Sequence, residues 1–307
     1  MSPRSAVVAV CTYRRPDQLA DLLRSLPPRL AETDLATGVL VVDNDADGSA
    51  RAVVDAVLPS ARYVHEPTPG IAAARSTAIR AAAGADLLAF IDDDEIPLAG
   101  WLDALIRVQA DTGAAAVAGR VRTELPADID PWLRAMGYFH RPDRATGTRV
   151  RAAATSNLLL DLHQVADSGV RFDPTLGLAG GEDTLFTYQL TDTGREIVWC
   201  HESVVDSPLS PERLDRRWAL DRAYGHGNTD AEIALRRAGG RPGRAGVVAR
   251  WTAVGVARIV LGSGRRAWGR WRGDLHHEAR GTRSIHRGRG ILAGVRGDRF
   301  HEYHRSG

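Results

Sequence analysis

The chain has 307 residues, 44% of them hydrophobic, which suits one large α/β domain or one domain with an appendage. Its two cysteines, Cys11 and Cys200, exclude a disulfide framework or a cysteine-built zinc site. The net charge of +2 hides an asymmetry. Residues 241–307 carry 15 arginines against Asp274, Glu278, Asp298 and Glu302, so +11, while the first 240 residues stand at −9. All 40 basic residues are arginine, and a basic tail on an acidic body signals an acidic partner such as anionic lipid, nucleic acid or a phosphorylated substrate.

In chain order, Ala6–Val10 is an expected strand, too short for a signal-peptide core and followed by Arg14-Arg15, so a cytoplasmic location is expected. Pro16–Leu26 has the apolar spacing of a helix, with Pro16 suited to its first turn. Val39–Val42 is a second strand, ending in Asp43-Asn44-Asp45. Ser49–Leu58 is expected to be helical, Arg62–Val64 a short strand, and Ile71–Ala83 an Ala-rich helix stopped by Gly84. Leu87–Ile91 is a buried strand that runs into Asp92-Asp93-Asp94-Glu95. A helix over Leu98–Gln109 and a strand over Ala115–Val121 complete a βαβα pattern, which predicts a mostly parallel sheet flanked by helices.

Beyond residue 120 the pattern loosens. Ala152–Leu160 and Glu196–Cys200 read as strands, and Asp183–Thr193 and Ser210–Arg237 as helices. Gly239-Gly240-Arg241-Pro242-Gly243 reads as a linker. The expected organisation is therefore a body over 1–240, with halves at 1–120 and 121–240, and a helical extension over 241–307. Within 245–272, Arg250 and Arg258 interrupt the apolar runs, which argues against a membrane-spanning helix. Two readings remain for this segment: an Arg- and Trp-rich helix lying on the anionic inner face of a membrane, or a helix packing its apolar stripe on the body.

Chemistry-bearing residues recur where strands of one sheet should end, the edge at which open α/β sheets bind ligands. They are Thr12-Tyr13-Arg14-Arg15-Pro16, Asp43-Asn44-Asp45, Pro69-Gly70 with Arg75, and the acids at 92–95. Clustered carboxylates repel, and a divalent cation is the usual reason to place them together. Singly, each motif has a plain reading as a turn, a helix cap or a solvated charge. Together they line one edge.

In this order and spacing the motifs TYRRP (12–16), VVDN (41–44), PGIAAARS (69–76), DDDE (92–95) and GED (181–183) resemble the family 2 glycosyltransferases. The resemblance covers about residues 5–220 and implies a GT-A, Rossmann-like fold and inverting transfer of a sugar from a nucleoside-diphosphate donor, UDP or dTDP. It implies that Thr12, Tyr13 and Arg14 hold the nucleotide, Asp43 the pyrimidine, Arg75 the base or pyrophosphate, and Asp92 the ribose, with Asp93 between. Asp94 would bind Mn²⁺ or Mg²⁺, with His201 as a further metal ligand. Asp183 would be the base, with Glu182 as its alternative or as a contact to an acceptor hydroxyl. Asn157 and Trp132 would lie on the acceptor side. The acceptor stays open among a lipid-linked saccharide, a polysaccharide end and a small natural product. Competing classes are a nucleotidyltransferase, although CTYRRP offers neither Gly nor Lys for a phosphate loop, and a nucleic-acid-binding module on the basic tail, for which no motif is present.

Overall fold

A computed structural model describes residues 5–141, 143–177 and 180–300. The chain divides into two compact units. The first comprises residues 1–123, 141–177 and 182–208, and the second residues 124–140, 178–181 and 209–307.

Unit 1 is built on one nine-stranded sheet. Its strands are β1 (Ser5–Thr12), β2 (Ala36–Asp43), β3 (Arg62–His65), β4 (Leu87–Asp92), β5 (Ile96–Pro97), β6 (Ala116–Arg122), β7 (Arg149–Val150), β8 (Asn157–Asp161) and β9 (Ile197–Asp206). The spatial order is β3-β2-β1-β4-β8-β6-β9-β5, with β7 on β9. β3, β2, β1 and β4 run parallel, β8 is antiparallel to both its neighbours, and β6 and β9 are parallel. The helices are α1 (Pro16–Leu30), α2 (Arg51–Val57), α3 (Ile71–Ala81), α4 (Trp101–Thr112), α6 (Leu162–Ser168) and α7 (Glu182–Asp192). α5 (Pro131–Met136) belongs to unit 2.

Side-chain alternation sorts the strands into two cores. Val8 and Val10 of β1 pack with Leu19, Leu22, Leu23 and Leu26 of α1 and with Trp101 and Leu105 of α4. Ala9 of the same strand faces Ala74 and Ala78 of α3 and Phe186 and Leu190 of α7. A sheet covered on both faces explains the unbroken apolar runs of β2 and β4. Each buried leucine of α1 contributes roughly 1.5–3 kcal/mol.

α1 starts at Pro16, with Asp17 in its first turn and Arg29 in its last. It runs one turn past the expected end at Leu26, through Pro27 and Pro28. The strand expected from Ala152 is paired only from Asn157. β9 continues six residues past Cys200, because it pairs with both β6 and β5.

Unit 2 holds α5, α8 (Arg216–Arg237), α9 (Gly240–Arg272) and α10 (Leu275–Arg296). α8 therefore shares a unit with the extension, and the expected boundary at residue 240 falls inside it. The supposed linker 239–243 is a brief break followed by the first turn of α9. Pro242 is tolerated there because the first turn of a helix has no acceptor for its missing N–H. By length and composition α9 could cross a membrane, despite Arg250 and Arg258. α10 packs against α8 with its backbone almost touching: a Cβ on Gly290 would lie 1.9 Å from the Tyr224 carbonyl oxygen.

Candidate active site

The parallel register brings the chain-distant motifs to one edge. Thr12 pairs with Asp43 across β1 and β2, Cys11 with Asp92 across β1 and β4, and Asp43 with His65 across β2 and β3. All are the last residues of their strands or next to them.

The acids at 92–95 split by alternation. Asp92 lies toward α3, where Arg75 Nη2 is 3.4 Å from its Oδ1. Asp93 turns the other way: its carboxylate accepts from Thr12 Oγ1 at 2.8 Å and Arg15 Nη1 at 2.9 Å. Burial pushes the Asp93 carboxyl up to about 6, against the pull of Arg15 and Thr12. Arg15 also reaches Asp94 Oδ2 at 3.2 Å. Glu95 folds back into the protein, and burial raises its carboxyl well above the ordinary range, with Asp92 and Asp94 adding to the effect.

Arg75 joins β4 to α7. Its Nη1 donates to Glu182 Oε1, and both side chains are buried. Glu182 Oε2 is buried without a hydrogen-bond partner. Burial raises the Glu182 carboxyl, with Asp183 and Asp92 adding to the rise and Arg75 opposing it. Burial likewise raises the Asp92 carboxyl; Asp94 and Asp183 push it further, against Arg75. Asp94 and Asp183 thus each repel Asp92, while the buried guanidinium of Arg75 attracts Glu182, Asp92 and Asp183. Asp183 Oδ1 accepts from the Thr184 backbone N–H at 2.6 Å, at the start of α7.

The nucleotide-side motifs are tied together by their own side chains. Asp43 is fully buried and accepts from Asp45 N, Ala50 N and Tyr63 Oη at 2.7–3.0 Å. Those donors occupy the carboxylate expected to meet a pyrimidine, so its observed work is to shape the loop after β2. Thr12 is likewise spent on Asp93, which leaves Tyr13 and Arg14 as the outward members of their motif. Arg14 has φ 52°, the only positive φ at a non-glycine among the described residues. Its guanidinium bridges Asp45 at 3.1 Å and Asp47 at 3.3 Å. Asn44 accepts from Gly70 N at 3.0 Å and donates to the Glu66 and Thr68 carbonyls. Gly70 itself, at φ 121°, lies against Gly177, whose Cα would stand 2.8 Å from any Cβ added there.

Three expected site residues have other work. Asn157 fills a break in the ladder, where β6–β9 pairing slips between Gly119 and Arg120. It donates to the Arg120 and Ser203 carbonyls and accepts from Trp101 Nε1 at 2.9 Å, so its amide is spent inside the sheet. His201 lies in the slipped segment, with Nδ1 2.8 Å from Asp143 and Nε2 3.4 Å from Arg120. Both ring nitrogens thus lie against protein groups in this arrangement. Trp132 is in unit 2, buried with Ile129, Leu133, Met136 and Ala219 under the guanidinium of Arg216, and is a core residue. Arg15 and Asn44 lie in the expected motifs and Tyr63 in an expected strand, but the sequence assigns none of them a role, because their partners lie 20 to 78 residues away.

No group of three or more His, Cys, Asp or Glu side chains converges on one point among the described residues. Asp92 and Asp94 still suit a hard divalent cation. Their mutual repulsion favours one, and such ions are commonly held by one or two carboxylates plus substrate phosphates.

Residues 7–161 match the family described as Glycosyl transferase family 2. The chain is 37% identical over 239 residues to the succinoglycan biosynthesis protein ExoM of Rhizobium meliloti (strain 1021), covering 76% of each chain. It is 29% identical over 200 residues to glycosyltransferase AglE of Haloferax volcanii, covering 60% of this chain and 64% of AglE. In fold it is similar to GalNAc-T7, solved with UDP, GalNAc and Mn²⁺ (TM-score 0.55, 12% identity, 78% of this chain and 52% of that one). It is also similar to S. aureus TarS (TM-score 0.51, 16% identity, 80% and 41%). With its GT-A-like sheet and its motifs gathered at one strand edge, this chain belongs to glycosyl transferase family 2 and is a nucleotide-sugar glycosyltransferase.

Proposed function

We propose that the chain is a metal-dependent inverting glycosyltransferase that uses a UDP- or dTDP-sugar on the cytoplasmic side and glycosylates a hydroxyl, or an amine, of a saccharide acceptor. The observation that carries this reading is the convergence of Arg75, Asp92, Glu182 and Asp183 from three separate elements. ExoM, named for succinoglycan biosynthesis, supports a saccharide acceptor. Structures of TarS with UDP and of GalNAc-T7 with UDP and Mn²⁺ support the uridine donor and the metal.

Asp92 and Asp94 would hold Mn²⁺ or Mg²⁺. Such an ion neutralises charge on the departing diphosphate. Arg75 orders Asp92 and Glu182 through its fork of donors. Asp183, with Oδ1 held by Thr184, keeps Oδ2 for the acceptor proton. The acceptor oxygen then forms a bond to the anomeric carbon from the face opposite the diphosphate, the anomeric C–O bond breaks, and Asp183 keeps the proton. A carboxylate is a weak base for a hydroxyl, so in-line positioning supplies much of the rate.

Thermal shift with UDP, dTDP, GDP and CDP, each with and without Mn²⁺, tests this reading. A stabilisation that requires both a uridine or thymidine diphosphate and the metal supports it. No shift with any nucleotide overturns it.

A further inference from the structure

We propose that α9 is an in-plane anchor that seats one apolar face in an anionic lipid leaflet, between flanking arginines. Val256, Val260, Leu261, Trp268 and Trp271 share one stripe of the helix. Val260, Leu261 and Trp271 are 62%, 72% and 77% exposed. The opposite face carries Gly255, Gly262 and Gly269 at seven-residue spacing, packed against α10. A Cβ on Gly262 would lie 2.9 Å from the Gly281 carbonyl oxygen, and one on Gly269 would lie 2.4 Å from Glu278 N. The exposed stripe is thus the face that remains after α9 has docked.

Charge selects the occupant. α9 contains eight arginines and no Asp or Glu. Arg272 lies over the rings of both Trp268 and Trp271, at 5.6 and 5.5 Å. Arg and Trp beside an apolar stripe form the pattern of a helix bedded at headgroup depth. A second copy of α9 laid on the same stripe would bring like charges together. Spanning is disfavoured by α10, which runs along α9 and would carry Glu278, Arg280, Arg283, Arg287 and Arg289 into hydrocarbon.

The test is flotation of the full chain with phosphatidylcholine vesicles, with and without phosphatidylglycerol, at low and high salt. The exposed-face variant Val260→Glu/Leu261→Glu is run alongside. The expected result is binding that requires phosphatidylglycerol, weakens with salt and shifts tryptophan emission to the blue. The double variant should bind about tenfold or more weakly, with unchanged helix content. A chain that stays in solution with anionic vesicles overturns the proposal, as does a variant that binds like the parent. A dimer by light scattering that the double variant makes monomeric assigns the stripe to a second copy and also overturns it. The Mn²⁺-dependent nucleotide shift of the double variant is measured in parallel. Its retention separates a failed anchor from a failed donor site.

Discussion

Arg75 on α3 and Glu182 at the start of α7 form a buried ion pair across 107 residues of sequence, and the same guanidinium reaches Asp92 at the end of β4. One side chain thus fixes the spacing between the edge of the sheet and the segment that carries Asp183. Its replacement leaves Glu182 as an unpaired buried carboxyl. Arg75→Ala should therefore destabilise the protein by about 3–5 kcal/mol. Arg75→Lys should retain more stability yet lose most of the activity, since an ammonium cannot fork to both acids. Chemical denaturation and initial rates read the two effects separately.

Asp94→Asn should keep the fold and lose the metal-dependent part of the UDP shift. Its carboxylate meets Arg15 at 3.2 Å, and Arg15 keeps Asp93 as a second partner at 2.9 Å, so removing one charge costs little structure. An unchanged Mn²⁺ requirement in thermal shift would take Asp94 out of the site.

Asp183→Asn should keep donor affinity and lower kcat by roughly 10²–10⁴-fold. The hydrogen bonds from Thr184 can be kept by the amide oxygen, so a loss of turnover would report the proton acceptor. A variant with near-parental turnover would move the base elsewhere.

In unit 2, Asp130 caps α5 through Trp132 N and pairs with Arg216 of α8. The hydrogen bond from Arg216 holds its carboxyl below the ordinary 3.8. A carboxyl depressed in the folded state stabilises above its unfolded pKa, and that contribution is lost as pH falls through the folded value. Asp130→Asn keeps a capping residue and removes the charge. It should cost up to about 1 kcal/mol near neutral pH, a gap that closes below pH 3.8, as urea midpoints against pH would show.

Two glycines should respond oppositely to alanine. Gly290→Ala sets a methyl against the Tyr224 carbonyl and should cost several kcal/mol, because backbone cannot yield as a side chain can. Gly264→Ala, on α9 with open space around it, should stabilise by up to about 1 kcal/mol. Melting temperatures of the two variants give the comparison.

The sequence by itself determined the parallel half of the sheet, since strand-length apolar runs alternating with amphipathic helices admit few other packings. It also determined the family, through motifs such as PGIAAARS and DDDE, the first of which carries a local backbone demand in Gly70 at φ 121°. The tertiary structure alone decided which polar residues are spent on the protein itself. Thr12, Asp43, Asn157 and His201 each read as available to a ligand. Each is engaged by partners 2 to 81 residues away, through turns, registers and a slipped β6–β9 ladder that periodicity does not encode. Likewise, the repeated glycines of α9 and α10 look like breakers in sequence. Only backbone-to-backbone packing makes them the docked face, and so leaves the tryptophan stripe exposed.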